Sequence, residues 1–395
     1  MKRVVDLFAG CGGLSQGFLN AGFDIVGAFE FWDVAADCYE ANFSHPVFRD
    51  DLYNVEGAIK KINALKPDVI IGGPPCQDFS HAGKRIENRR AALTEVFAEI
   101  ISSVAPAWFV MENVDRSQKS DAYANAREEL KKAGYGLTEI ILTASFCGVP
   151  QRRKRFFCIG SLNHNDGFLT DIINNNLSTT EMTLRDYFGS SLDLEYYYRH
   201  PRNYSRRAIY SIDEPSATIR GVNRPVPLGY PGHKNDACVI DDTIRPLTTL
   251  ERALIQTFPP NFKWSGNKTE MEQMIGNAVP VKLAEYVAKA LSNHILSCES
   301  DQHSLRSQSQ VDYDHFYEWL SNSSIMSERT QRDTLSRLKR ANSLSAIPYN
   351  PEAYYIFTLE QVEGYKALKP DVRSQIKRAV SLYSDYCRSC LPKNA

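Results

Sequence analysis

The chain has 395 residues, 43% of them hydrophobic and 24% charged, with a formal net charge of −1. That is room for two or three domains and a large core, and it excludes a globally basic nucleic-acid binder, so any polyanion surface must be local. Nine scattered cysteines, an odd number, do not read as a disulfide framework. Cys387-x-x-Cys390 stands alone, without a second pair or paired histidines, so it is read as packing and no metal site is expected. Met1-Lys2-Arg3-Val4-Val5-Asp6 reads as a strand rather than a signal peptide, and no apolar run is long enough to span a membrane. A reducing cytoplasm is the expected setting, with no membrane partner.

Lys2 to Phe8 reads as a strand, followed by Ala9-Gly10-Cys11-Gly12-Gly13 and helical spacing from Leu14. Strand, glycine turn and helix bring a nucleotide-like ligand against backbone N–H groups and a helix N-terminus. A second strand, Asp24 to Phe29, ends at Glu30, where an acidic residue holds a ribose diol in this architecture. Phe31 and Trp32 follow, suited either to a purine face or to the core. A third strand around Val47-Phe48 ends at Asp50-Asp51. The fourth, Asp68 to Ile71, runs into Gly72-Gly73-Pro74-Pro75-Cys76. Two prolines fix their own φ and restrict their predecessors, so the loop is stiff and Cys76 is the first residue free of it. A positioned, unpaired cysteine is a nucleophile candidate.

Glu95 to Val104 has helical periodicity, and Ala107 to Met111 is a fifth strand, ending at Glu112-Asn113-Val114. Asp121 to Ala133 reads as a helix stopped by Gly134. Leu137 to Ala144 and Arg155 to Ile159 complete seven strands, the last preceded by Gln151-Arg152-Arg153-Lys154. The alternation predicts a parallel α/β sheet. Gly10 and Gly12, Glu30, Asp51, Cys76 and Glu112 all fall at carboxyl ends of successive strands, the ligand crevice of open α/β sheets.

Five ordered blocks carry a resemblance: Asp6-Leu7-Phe8-Ala9-Gly10-Cys11-Gly12-Gly13-Leu14-Ser15, Gly73-Pro74-Pro75-Cys76-Gln77, Glu112-Asn113-Val114, Gln151-x-Arg153-x-Arg155 and Gly276-Asn277-Ala278-Val279-Pro280. Over roughly residues 1–295 the chain resembles the cytosine-C5 DNA methyltransferases that use S-adenosylmethionine. The resemblance implies a Rossmann-like S-adenosylmethionine-dependent methyltransferase sheet with helices on both faces and a smaller loop- and β-rich target-recognition domain; beyond it, amphipathic periodicity predicts a C-terminal helical extension outside the family pattern. It implies Cys76 as nucleophile, Glu112 at the cytosine ring, and Arg153 and Arg155 flanking the catalytic loop. Phe8, Gly10, Gly12, Leu14, Glu30, Phe31, Asp51 and Asn277 are implied as the cofactor shell. Phe31 stands where many members have tryptophan, with Trp32 one place later, and Asp51 is favoured over Asp50 because Leu52 follows it.

The chemistry needs these residue types. Carbon 5 of cytosine is a poor nucleophile, and adding a thiolate at carbon 6 makes it electron-rich. A carboxyl group at N3 and arginines nearby relieve the developing charge. In strand spacing Gln151, Arg153 and Arg155 share one face, and Arg152 and Lys154 the other. The base lies inside a duplex and must be flipped out. The basic stretch Ser80 to Arg90 suits a mobile loop over DNA, with Lys84 and Arg85 near phosphates.

The expected domains are 1–185 (catalysis and cofactor), 186–268 (target recognition), 269–296 (a returning helix), 297–311 (a polar linker) and 312–395 (the helical extension). Arg220, Asn223 and Arg224 are candidates for DNA contact. Double-stranded DNA is the expected partner of a monomeric bacterial modification enzyme, cytoplasmic and nucleoid-associated, with a cognate restriction endonuclease acting on the same site. Two rivals stand beside this: a tRNA cytosine-5 methyltransferase, whose late Cys-Phe-Thr motif is absent, and a catalytically silent DNA-binding relative.

Overall fold

A computed structural model describes residues 1–75, 84–201, 203, 205–308, 311–323, 326–345, 347 and 353–390; within the helices, the side chains of 84–92, 299–308, 323, 353–354, 357 and 390 fall outside that description. The chain divides into two compact units, residues 1–294 and 295–395.

In the first unit, strands β1 (Arg3–Leu7), β2 (Asp24–Phe29), β3 (Val47–Phe48), β4 (Val69–Gly72), β5 (Trp108–Val114) and β6 (Tyr135–Thr143) are followed by β7 (Gln151–Arg152) and β8 (Lys154–Leu162). Seven of them form one sheet in the order β3-β2-β1-β4-β5-β8-β6. The first five strands pair in parallel. The expected parallel sheet holds only that far, because β8 runs antiparallel to both β5 and β6. Parallel neighbours need a crossover of a dozen residues or more, usually helical. The ten residues from Ala144 to Arg153 hold only a single 3₁₀ turn, Ala144–Phe146, and β7, so β8 turns back beside β6.

Alternation along the strands sends apolar side chains to two faces. Val5, Leu7 and Ile70 join Ala58, Ile62, Phe97, Ile101, Tyr123 and Leu130 in one core. These come from α3 (Val55–Leu65), α4 (Lys84–Val104) and α5 (Asp121–Lys132). A separate cluster gathers Ala28, Ala35, Tyr39, Phe258, Met274 and Val281, drawing on α2 (Asp33–Glu40) and α9 (Lys268–Asn277). Helix α1 (Gly13–Asn20) meets α10 (Val281–Gln308) through Gly17, where an added Cβ would lie 2.7 Å from the Val281 carbonyl and 2.6 Å from the Glu285 nitrogen.

Beyond β8, α6 (Thr170–Asn175) and α7 (Leu184–Phe188) lead into an irregular region. It contains β9 (Tyr196–Tyr198), β10 (Ile209–Ser211) and β11 (Ser216–Ala217), and α8 (Thr249–Ile255) follows it. β9 and β10 form an antiparallel pair, and β11 lies parallel to β7. Residues 216–217 of this irregular region are therefore paired directly with the basic strand. The returning helix expected from residue 269 is two helices, α9 and α10, because Pro280 interrupts the run after Ala278.

Two expectations about connections change. Residues 297–308, expected as a linker, continue α10; their serines and glutamines carry no glycine or proline to stop it. Lys84 to Arg90, expected in a loop, form the first turns of α4. The second unit adds α11 (Tyr313–Ser323), α12 (Glu328–Leu344), α13 (Ala353–Gln361), α14 (Glu363–Lys366) and α15 (Pro370–Cys390). Phe316, Leu320, Leu338, Tyr355, Ile376, Tyr383 and Cys387 form its core.

The Gly17 contact gives a test in which two effects oppose. Helix propensity favours Gly17→Ala by about 1 kcal/mol. Backbone overlap with α10 costs about 1–3 kcal/mol. We expect net destabilisation of Gly17→Ala in urea unfolding monitored by circular dichroism.

Candidate active site

The carboxyl ends of β1, β2, β4 and β5 open onto one cleft of about 930 Å³. Phe8, Gly10, Leu14, Glu30, Phe31, Asp51, Glu112, Arg155 and Asn277 line it, together with Gly73, Pro74 and Pro75. Residues read from five separated motifs thus share one wall. Gly12 stands beneath it as the N-cap of α1 at φ +93°, where a Cβ would lie 2.3 Å from the Phe43 ring. Only glycine meets both conditions. Phe8 takes a left-handed φ of 58°, a strained conformation for a bulky side chain and one found at ligand-holding turns.

Glu30 is fixed by its neighbours. The Gly10 N–H donates to its Oε2 at 2.7 Å and the Trp32 N–H to its Oε1 at 2.7 Å. Burial lifts its carboxyl above the ordinary range, and backbone N–H groups of Trp32, Gly10 and Phe31 pull it back. The carboxylate is pre-aimed, with its remaining lone pairs available to a diol. Both aromatic candidates line the cleft: Phe31 is 68% exposed on it, and Trp32 also packs against the cluster around Tyr39 and Phe262. The two aspartates separate, since Asp50 pairs with Lys61 at 2.5 Å. Asp51 accepts the Tyr53 N–H at 3.0 Å.

The catalytic candidates meet across the antiparallel pair. Glu112 near the end of β5 and Arg155 near the start of β8 form an ion pair, Arg155 Nε to Glu112 Oε1 at 2.7 Å, with both side chains largely buried. Burial raises the Glu112 carboxyl, and Arg155 and then Arg153 oppose the shift. A buried carboxyl raised by desolvation and steadied by an arginine suits proton sharing with a ring nitrogen. Asn113 donates from Nδ2 to the Pro74 carbonyl at 3.1 Å, tying the end of β5 to the proline loop. Cys76 lies outside the described residues, as do the side chains of Lys84 and Arg85.

Burial alternates as expected along Gln151 to Lys154, with Gln151 and Arg153 buried and Arg152 and Lys154 exposed. Arg153 nevertheless turns away from Glu112. Its Nη1 donates to the Ile219 carbonyl at 2.8 Å, and its Nη2 to Gly276 at 2.9 Å and Ala278 at 3.1 Å. It touches backbone, not the cleft. Of the DNA candidates, Arg224 is exposed. Asn223 spends its Nδ2 on the Leu247 carbonyl at 2.7 Å, and Arg220 donates to the His200 carbonyl at 2.5 Å.

Motif reading missed a buried polar chain. Ser15 Oγ donates to Asp6 Oδ2 at 2.6 Å and meets Tyr39 OH at 2.6 Å, which meets His45 Nε2 at 2.8 Å. Asp6 Oδ1 is buried without a hydrogen-bond partner in the protein. One signal was present: Asp6 interrupts the apolar strand Val4-Val5-Asp6-Leu7. Nothing local marks Tyr39 or His45.

An aimed carboxylate, an open aromatic face, an exposed aspartate and a glycine turn fit the ribose, adenine and main chain of S-adenosylmethionine. The orphaned Asp6 oxygen adds an acceptor on the same wall.

Burial pushes the Asp6 carboxyl up to about 7, against the hydrogen bond from Ser15 that lowers it. The folded state therefore keeps a proton that the unfolded chain releases near pH 4. Stability from this group is complete below pH 4 and is lost as pH rises to about 7. The loss is about 4 kcal/mol at ~1.4 kcal/mol per pKa unit. Denaturant unfolding should show the stability of Asp6→Asn gaining on the wild type by that order between pH 4 and pH 8.

The family profile described as C-5 cytosine-specific DNA methylase matches residues 2–293. The Type II methyltransferase M.HindV of Haemophilus influenzae is 56% identical over 293 residues, covering 74% of this chain and 96% of that protein. M.HgiDI of Herpetosiphon aurantiacus is 51% identical over 304 residues, covering 77% and 98%. The solved structure of the S. pombe Dnmt2 methyltransferase shares the fold, with a TM-score of 0.55 at 20% identity, over 74% of this chain and 98% of that one. No described helix is long and apolar enough to cross a membrane. The chain belongs to the C-5 cytosine-specific DNA methylase family, enzymes that transfer a methyl group from S-adenosylmethionine to carbon 5 of cytosine in DNA.

Proposed function

We propose that this chain is the modification enzyme of a restriction–modification system, methylating one defined duplex site through a covalent adduct at Cys76. The observation that carries the chemistry is the Glu112–Arg155 pair, set in the same cleft as Glu30 and Pro74-Pro75. When bound, S-adenosylmethionine supplies an electrophilic methyl group. The protein's task is to make carbon 5 of a flipped cytosine nucleophilic.

The Cys76 thiolate attacks carbon 6, forming an S–C bond as the C5=C6 π pair shifts to C4=C5 and the C4=N3 π pair moves onto N3, leaving an enamine with an electron-rich carbon 5. Glu112 gives its proton to N3 as charge develops there, and Arg155 stabilises the carboxylate left behind. Once carbon 5 carries the methyl group, a base removes its proton. The electrons of that C–H bond re-form C5=C6, the thiolate leaves, and Glu112 recovers its proton from N3. Phe31 would cover the adenine, Glu30 the ribose and Asp51 the adenine edge, with Gly10, Leu14 and Asn277 closing the cofactor wall.

Residues 186–268 supply target recognition, with Arg224 the most accessible of the three DNA candidates and Arg220 and Asn223 beside it. Lys84 and Arg85 meet the phosphates of the duplex. The enzyme acts as a monomer in the bacterial cytoplasm, at the nucleoid, and a separate restriction endonuclease reads the same site. Support comes from two curated relatives that bear the Type II name and are matched over nearly their whole length.

Tritiated methyl transfer tests the residues. Cys76→Ser should reduce incorporation into DNA to background, and Glu112→Gln should lower it ~100-fold or more, both with cofactor binding retained. Robust transfer by Cys76→Ser, or transfer to tRNA instead of DNA, would overturn the reading. Bisulfite sequencing of DNA from expressing cells should show a single methylated motif.

A further inference from the structure

Arg153 carries a guanidinium and is only 1% exposed, yet it makes no ion pair among the described residues. Its hydrogen bonds run to three carbonyls on two different segments. Ile219 belongs to the recognition region just after β11, and Gly276 and Ala278 belong to the turn on the cofactor wall. Burial depresses its affinity for the proton, and neighbouring Arg155 adds to that, with Glu112 opposing. A buried cation bound by carbonyls alone is costly, and removing one partner leaves it uncompensated.

A second buried link runs parallel to the first. Gln151 accepts the Ile219 N–H at 2.9 Å and donates to Gln256 Oε1 at 2.7 Å. Gln256 in turn donates to the Ile275 carbonyl at 2.6 Å and to Ala278 at 3.1 Å. The two segments also touch directly: a Cβ on Gly276 would lie 2.2 Å from the Gly221 nitrogen. A Cβ on Gly221 would lie 2.4 Å from Gln273 Oε1, and Gln273 Nε2 holds Asn277 Oδ1 at 3.0 Å. Ile219 thus has both its N–H and its carbonyl committed to side chains tied to the cofactor turn, Arg153 directly and Gln151 through Gln256.

We propose that Arg153 is a positioning residue that couples target recognition to cofactor binding. The segment Ile219–Gly221 flanks the DNA candidates Arg220, Asn223 and Arg224. It cannot shift on the duplex without carrying Gly276 to Ala278 with it. DNA that seats this segment therefore tightens the cofactor wall, and by linkage the cofactor tightens DNA by the same factor. This rests on the assignment of residues 186–268 to DNA recognition.

The test is calorimetric titration of S-adenosylhomocysteine into full-length protein, alone and saturated with a duplex carrying the bisulfite-mapped site. The readout is the ratio of the two dissociation constants within each variant, whatever its own affinity. The wild type should bind about fivefold or more tighter with the duplex, the lower end of usual couplings. Arg153→Lys keeps the charge but has one head group for carbonyls on two sides, so its ratio should fall to within about twofold of unity. Should that variant lack a cooperative melt, Gly221→Ala decides, because its new Cβ meets a flexible side chain and displaces Gln273 from Asn277. A wild-type ratio near one, or an unchanged ratio in the folded variant, would overturn the coupling. Failure of the wild type to methylate DNA at all would instead remove the functional reading itself.

Discussion

The antiparallel insertion of β8 beside β5 is the constraint on which the site depends. Parallel strands deliver only their carboxyl ends to the ligand edge of an α/β sheet. A strand running the other way delivers its amino end, so the residues that precede it arrive at the same edge. Register places Val114 opposite Arg155 and Glu112 opposite Phe157, which sets Arg155 diagonally across from Glu112. That diagonal is within reach of long side chains. Breaking such a buried pair from one side costs about 3–5 kcal/mol, so each partner holds the other in place. The Glu112 carboxyl is thereby oriented before any substrate arrives.

From that edge two systems diverge. The cleft wall is built from close backbone approaches, such as Gly13, where a Cβ would lie 2.4 Å from the Val279 carbonyl. The region proposed for target recognition is built from short paired strands and clusters around Tyr197 and Tyr198. Arg153, Gln151 and Gln256 stand between them. These three buried polar side chains link the two through hydrogen bonds to backbone groups on both sides.

Much of this was legible in the sequence because glycine, proline and charge sit where backbone geometry demands them. Gly10, Glu30, Asp51 and Glu112 could be assigned to one edge by counting strand ends, and they do line one cleft. The direction of β8 was not legible, because an apolar run reads the same both ways and only the short connection from Ala144 to Arg153 carries the information. Arg153 and Arg155 share a strand face by spacing, yet β7 ends at Arg152 and β8 begins at Lys154. Arg153 lies in the gap between them. Periodicity cannot show such a break. The polar chain from Asp6 to His45 joins residues from three elements, and long-range contact of that kind leaves no local trace.

In the proposed mechanism the proline-mounted Cys76 adds to carbon 6 of a flipped cytosine. Duplex DNA carrying 5-fluorocytosine at the target tests it directly, since fluorine at carbon 5 cannot leave as a proton does and the adduct cannot collapse. With S-adenosylmethionine present, peptide mapping by mass spectrometry should find the nucleotide on Cys76, as a stoichiometric complex stable to denaturant. A linkage at any other residue, or free protein under conditions where unmodified DNA is methylated, would contradict it.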